Sequence, residues 1–221
     1  MGFAMAIDGP AGAGKSTIAK ITGQKLDLVY IDTGAMYRAM AYYFVNNNVD
    51  AEDTEAVKKA CDSINIKIVY EDGAQQVILN DMNITKHLRE EAIGKMASNV
   101  AKLSDVRSKL VSLQREMASN GRVIMDGRDI GTCVLPDAEV KIYLTASSKV
   151  RAKRRYDELV AKGEECDIDE IEKDIINRDY EDMNREISPL KQADDAICVD
   201  TSDMNIDEVV AKLIEIYEEN N

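Results

Sequence analysis

The chain carries one histidine, His87, set in a polar stretch. A Ser-His-Asp type of mechanism therefore has little to work with, and His87 is expected at the surface. Its four cysteines, Cys61, Cys133, Cys166 and Cys198, lie far apart, with no C-x-x-C and no neighbouring histidine. That spacing does not suggest zinc and leaves scattered thiols of an intracellular, cytoplasmic chain as the expectation. No apolar stretch approaches the roughly 18 to 20 residues of a membrane span, so no membrane partner is expected. The first residues, Met1 to Asp8, have no basic segment and reach an Asp too early for a signal peptide. The myristoylation pattern also lacks its Ser or Thr. These residues read as a first strand. Positive charge is in the minority: 28 Lys and Arg stand against 41 Asp and Glu, for a formal charge of −13. Most of such a surface repels a polyanion, which argues against broad binding to nucleic acid. A polyanionic ligand must enter a local basic pocket, so the positions of the arginines and lysines matter more than their number.

What is present is an alternation of short apolar runs with longer segments of helical period, the pattern of an α/β fold with a parallel sheet. The expected strands are Phe3 to Asp8, Leu28 to Asp32, Val123 to Asp126, Val140 to Leu144 and Ala196 to Asp200. Several end in an aspartate at the carboxyl edge of the sheet, where open α/β sheets bind ligands. Ile64 to Tyr70 alternates, Glu71-Asp72-Gly73 turns, and Gln76 to Asn80 follows, which predicts a hairpin with a third short strand near Met82 to Thr85. Helices are expected over Glu90 to Asn120 with a break near Leu103 to Asp105, over Lys149 to Lys162, over Ile168 to Asn184, and after Asn205. With 221 residues, the chain suits one α/β domain carrying a small insert.

One motif decides the chemistry. Gly9-Pro10-Ala11-Gly12-Ala13-Gly14-Lys15-Ser16-Thr17 fits G-x-x-x-x-G-K-[ST], with a strand directly before it and a helical pattern directly after. Glycines let the backbone curl so that successive N–H groups point inward around an anion. The following helix aims its positive end at the same place. Lys15 supplies a cation to the outer phosphates and Ser16 offers a hydroxyl to Mg2+. The motif implies a nucleoside triphosphate with magnesium. The sequence lacks the N-K-x-D guanine motif of a GTP switch.

The remaining arginines point to a second, phosphate-bearing substrate. Arg38 follows Asp32-Thr33-Gly34 and suits a phosphate clamp or a solvated helix position. Asp126 ends an apolar run as a Walker-B acid does and suits magnesium, while Arg128 and Asp129 follow in a glycine-flanked loop. Arg178, Asp182 and Arg185 are spaced i, i+4, i+7, which lines one helix face and also fits a plain surface salt bridge. Arg151, Arg154 and Arg155, with Lys153 between, form a one-sided basic cluster: a lid over the triphosphate, or less readily an RNA patch, since no aromatics interleave.

Taken together these segments resemble the bacterial cytidylate kinase family of P-loop nucleoside monophosphate kinases. The resemblance rests on Gly9 to Thr17, Asp32 to Arg38, Ala97 to Ala101 with Val106-Arg107, Asp126 to Gly131, Pro136 to Ala138, Arg151 to Arg155, and Arg178 to Arg185. It implies a P-loop NTPase-like five-stranded parallel sheet flanked by helices, with a small antiparallel insert and a helical lid. It implies one kinase domain over 1–221, with a core of about 1–38, 86–148 and 186–221, a monophosphate-binding insert of about 39–85, and a lid of about 149–185. ATP and Mg2+ would phosphorylate CMP and dCMP, and the chain would be a monomer. By position, Arg38, Arg128 and Arg185 are similar to the clamp on the CMP phosphate. Ser98, Arg107 and Asp129 are similar to the readers of the cytosine edge, Arg178 and Asp182 to the sugar-binding pair, and Arg151, Arg154 and Arg155 to the lid. Thr33 stands where some members have Ser. A kinase for another acceptor such as UMP, and a regulatory protein that binds ATP only to change shape, are the alternatives.

Overall fold

The computed structural model describes residues 2–71, 74–119 and 121–220. Asp72 and Gly73 of the expected turn, and Asn120, lie outside the described residues. The chain divides into two compact units, one of residues 1–30 with 118–221 and one of residues 31–117.

The first unit is built on β1 (Ala4–Asp8), whose Met5, Ala6 and Ile7 have no exposed surface. A strand covered on both faces reads as a continuous apolar run rather than an alternation, and successive residues of β1, which point to opposite faces, are all buried from Met5 to Asp8. It pairs in parallel with β6 (Val123–Gly127) and with β7 (Val140–Thr145). With β2 (Val29–Asp32) and β8 (Ile197–Asp200) these strands form a five-stranded parallel sheet in the order β2-β6-β1-β7-β8. Helix α1 (Lys15–Leu26) packs on α8 (Ile206–Glu219), which buries Val209, Val210, Leu213 and Ile216. The start of α8 is fixed by a capping box, Asn205 accepting from the Glu208 amide and Glu208 from the Asn205 amide. Two further helices, α6 (Ser148–Ala161) and α7 (Ile168–Asn184), pack on each other.

The strand order places the loops after β1 and β6 side by side. The chain leaves β1 toward β2 on one flank, while β7 and β8 lie on the other, so the order reverses at β1. That is the point at which an open α/β sheet offers a crevice. Asp8 pairs in register with Gly127, the last residues of their strands.

The second unit has α2 (Thr33–Asn46), α3 (Thr54–Ser63), a three-stranded antiparallel sheet of β3 (Ile66–Glu71), β4 (Ala74–Leu79) and β5 (Met82–Asn83), then α4 (Glu91–Val100) and α5 (Ser104–Ser119). Met36, Ala39, Met40 and Phe44 give α2 a fully buried stripe, and α2 packs on α4. Asp32 caps α2 through the Ala35 amide and Asp53 caps α3 through the Glu55 and Ala56 amides. No helix among the described residues is long and apolar enough to cross a membrane.

Leu213 is fully buried where α8 meets the sheet. Leu213→Ala is expected to cost about 2–5 kcal/mol of stability, as large-to-small changes in close-packed cores do. Urea unfolding monitored by circular dichroism measures the loss.

Candidate active site

The glycine-rich loop after β1 owes its path to close approach. A Cβ on Gly9 (φ 149°) would stand 2.0 Å from the Leu144 carbonyl oxygen, so the loop leaves the sheet where only glycine fits. Gly14 (φ 88°) takes the left-handed turn that opens α1. No side chain caps α1, and its first turn holds no acid. The N–H groups and positive end of this helix are thus left for an anion.

Lys15 lies within this loop, buried, and donates from Nζ to the Pro10 carbonyl at 2.7 Å. Burial pushes its ammonium down to about 7; Arg128 adds to the fall, while Asp126, Asp8 and Asp182 oppose it. Ser16 Oγ donates to Asp126 Oδ2 at 2.8 Å, and the Tyr30 hydroxyl donates to Oδ1 at 2.8 Å. Asp126 is 4% exposed and ends the buried run of β6. Magnesium is ordinarily held by one or two carboxylates together with substrate phosphates. The hard oxygens of Ser16 and Asp126, already at contact distance, fit that demand.

Beyond Asp126 the chain carries two arginines' worth of ion pairs. Arg128 donates from Nε to Asp182 Oδ2 on α7 at 2.7 Å. Asp129 accepts from Arg185 Nη2 at 3.2 Å, both side chains being 7% exposed. Residues Ile130–Val134 then form a wide π turn whose Ile130 and Gly131 amides donate to Asp8, at 2.8 and 2.7 Å. Burial pushes the Asp8 carboxyl up to about 6, against these two amides, which favour its charged form.

A model of the cytidylate kinase family matches residues 5–219. This chain belongs to the cytidylate kinase family. A cytidylate kinase of Carboxydothermus hydrogenoformans is 48% identical over 217 residues, covering 98% of this chain and 98% of that protein. One of Lactobacillus johnsonii is 53% identical over 214 residues, covering 97% of this chain and 93% of that protein. Among solved structures, a shikimate kinase from Bacteroides thetaiotaomicron superposes with a TM-score of 0.51 over 98% of each chain at 14% identity. That last likeness is one of fold alone.

Within the first unit the contacts just described make three separate links between expected site residues: Ser16 to Asp126, Arg128 to Asp182, and Asp129 to Arg185. Arg178 is exposed on α7. Arg185 does not share its helix face: α7 ends at Asn184, and Arg185 has extended backbone (φ −65°, ψ 143°). The i, i+4, i+7 reading fails there because Arg185 binds the Ser188 carbonyl and Asp129 instead of continuing the helix. The three basic residues expected to act as one cluster take three separate partners. Arg151 is buried, donating to the Ala11 and Ala146 carbonyls at 2.9 and 2.8 Å and pairing with Asp179 at 2.7 Å. Arg154 donates to the Thr201 carbonyl at 2.7 Å, and exposed Arg155 pairs with Glu158 at 2.9 Å.

In the second unit, Thr33 is buried at the start of α2 and Arg38 lies one turn on, 4.0 Å from Asp32. Arg107 on α5 is buried, donates to the Tyr37 hydroxyl at 3.1 Å and lies over that ring. Ser98 is half-buried on α4. His87 is half-exposed and bonded to Glu90, and none of the four cysteines is in a disulfide, Cys133 lying 3.5 Å from the Ser188 hydroxyl.

Sequence reasoning missed Asp8, Tyr30 and Asp179. Asp179 accepts from the Ala11 amide at 3.3 Å while pairing with Arg151, so it ties α7 to the glycine loop. Each of the three acts through contacts with residues at least 28 positions away in sequence. The only local signal was for Asp8, a polar residue at the end of an apolar run; Tyr30 lies inside one, between Val29 and Ile31.

Lys15 makes a prediction about stability. Below pH 7 the folded ammonium is charged and carries its whole burial penalty. As pH rises from about 7 toward the usual 10.5, the folded lysine is neutral while the unfolded one keeps its proton, so stability gains. Lys15→Met is therefore expected to stabilise the protein most at pH 6.5 and to lose that advantage by pH 10. Thermal denaturation across this range decides it; an advantage that grows with pH would show that the lysine is not held low.

Proposed function

We propose that this protein transfers the terminal phosphate of ATP to CMP, and to dCMP, giving ADP and the corresponding diphosphate in cytoplasmic pyrimidine nucleotide metabolism. Membership of the cytidylate kinase family supports the substrates. The geometric support is one arrangement: an uncapped helix start with Lys15, beside a loop whose Arg128 and Asp129 are held in ion pairs with Asp182 and Arg185. A donor cradle and an acceptor clamp at one sheet edge suit transfer between two phosphates better than hydrolysis.

In this reading the loop from Gly9 to Thr17 holds the donor phosphates through backbone N–H groups, and Lys15 follows the charge that develops on the transferred group. Ser16 and Asp126 would hold magnesium, which would supply charge neutralisation on the phosphate oxygens. Arg38, Arg128 and Arg185 hold the acceptor phosphate, which is already anionic at neutral pH and needs no strong base. Transfer is direct and in line, with no phosphoenzyme. Arg178 and Asp182 hold the sugar side, and Thr33 adds a hydroxyl to the CMP site. Ser98, Arg107 and Asp129 read the base: the carboxylate accepts from the cytosine amino group, while the donors meet its ring acceptors. Residues 39–85 serve as the monophosphate-binding insert and 149–185 as a lid that excludes water. Of the lid arginines, Arg151 works through the Ala11 carbonyl that it holds, whereas Arg154 and Arg155 meet the donor nucleotide. The enzyme works as a monomer.

The deciding experiment is ADP formation from ATP and Mg2+ with CMP, dCMP, UMP, AMP and GMP offered separately. Strong turnover with CMP and dCMP alone is expected. Preference for another acceptor keeps the kinase and retires the base-reading trio, and ADP formed equally without an acceptor retires the transferase.

Asp129 carries a sharper expectation, because its carboxylate also holds Arg185. Asp129→Ala is expected to lower kcat/KM for CMP by about a hundredfold and to lower that for UMP less, since a site built for a donor group loses most when that bond goes. Equal losses for the two acceptors would mean that Asp129 serves only to place Arg185.

A further inference from the structure

Asp8 is the last residue of β1, one position before the glycine loop, and its side chain is 4% exposed. Both carboxylate oxygens are engaged by backbone groups 122 and 123 residues away, the amides of Ile130 and Gly131. These two amides open the π turn that follows Arg128 and Asp129. The first N–H groups of any helical turn lack partners within it and need an outside acceptor. Here the residue in the ordinary capping position, Asp129, makes no side-chain cap. Asp129 is turned to Arg185 instead, and the cap comes from another strand.

The arrangement is close-fitting from the loop side as well. A Cβ on Gly131 would stand 3.4 Å from Asp8 Oδ2 and 3.2 Å from Lys141 Cδ, so the turn presses against the carboxylate and the lysine stem. Burying a carboxylate is costly, and an apolar residue would fill the end of β1 without that cost. What an apolar residue does not do is accept two hydrogen bonds. Bonds from N–H groups to a charged acceptor are about twice as strong as neutral ones. A single rigid side chain thus spans the loop that receives the donor phosphates and the loop that carries Arg128 and Asp129.

We infer that Asp8 is a positioning residue for phosphoryl transfer: by capping the turn at Ile130 and Gly131 it sets Arg128 and Asp129 in register with the donor loop. Both Asp8 oxygens are taken by backbone amides, so it acts through the turn, and the inference rests on the acceptor-side roles proposed above for Arg128 and Asp129. Its loss affects the acceptor more than the donor: the glycine loop keeps its own supports at the Pro10 carbonyl, Arg151 and Asp179, and Asp126 and Asp182 still face Lys15 once the Asp8 charge is gone.

Asp8→Asn is the test. The asparagine keeps the shape but presents an NH2 group to one of the two amides, replacing a bond by a facing pair of donors. The expected result is a rise in KM for CMP and a fall in kcat, each about tenfold, with KM for ATP within about threefold of wild type. A lower melting temperature with both KM values and kcat unchanged would make Asp8 a structural cap only and overturn the inference. Equal rises in both KM values would place its action in the donor loop and overturn it too. Gly131→Ala strains the same contact from the other side without removing the carboxylate, and it decides the matter if Asp8→Asn does not fold. It should raise KM for CMP selectively, by about threefold, and unchanged constants there would overturn the inference. The wild-type acceptor panel separates the two levels. If wild type prefers another acceptor, the CMP assignment fails and the same split is read with that acceptor.

Discussion

The first unit keeps a lysine ammonium in a dry place beside the glycine loop. A buried cation loses its hydration, and an effective dielectric lower than that of water magnifies both its penalty and its attraction for phosphate. Lys15 is held by the Pro10 carbonyl and lies in the field of Asp8, Asp126 and Asp182, while Arg128 works against it. The surrounding structure can be understood as the support of that one charge. The parallel sheet delivers the ends of β1 and β6 next to each other, glycine lets the backbone wrap close to Leu144, and the carboxylates come from strand ends and from α7. The same polarised setting that makes the lysine costly when the site is empty makes it effective when an anion arrives, since its solvent has already been replaced by fixed partners.

The parts of the fold that were legible in the sequence are those whose signals are local. β1 and β6 are mostly buried strands and read as apolar runs, β7 alternates buried and half-buried positions around Val140, Ile142 and Leu144, and the hairpin of β3 and β4 reads as alternation. The end of α7 at Asn184 and the start of α8 at Asn205 follow from Ser188-Pro189 downstream and from a capping box. Helix α3 gave no comparable signal: its ten residues are short and polar, with only Val57, Ala60 and Cys61 turned inward. The π turn at Ile130–Val134 is invisible locally because it is stabilised by Asp8, from the opposite end of the chain.

At the site, the glycine loop was fully legible because its spacing encodes a backbone shape. The arginines were legible as positions of charge but not as geometry. Arg151, Arg154 and Arg155 look like one cationic surface at helical spacing, yet Arg151 turns inward to carbonyls and Asp179, and only Arg155 lies at the surface. Helical periodicity fixes which face a residue leaves from, whereas long side chains choose their partners from whatever acceptors the tertiary fold supplies. Arg185 illustrates the reverse case, in which a tertiary partner, Asp129, goes with the end of the helical periodicity altogether.

The uncapped start of α1 has a consequence for how long the molecule survives. A helix start without a side-chain partner forgoes the roughly 1 kcal/mol that a good cap supplies, and the loop beside it has glycines at three positive-φ positions, Gly9, Gly12 and Gly14. An anion that binds there stabilises the folded state by mass action, by about 2.7 kcal/mol at a hundred times its dissociation constant. The fraction of molecules open to proteases then falls as substrate accumulates and rises as it runs out. Resistance to proteolysis in that case follows the supply of whatever anion the loop binds.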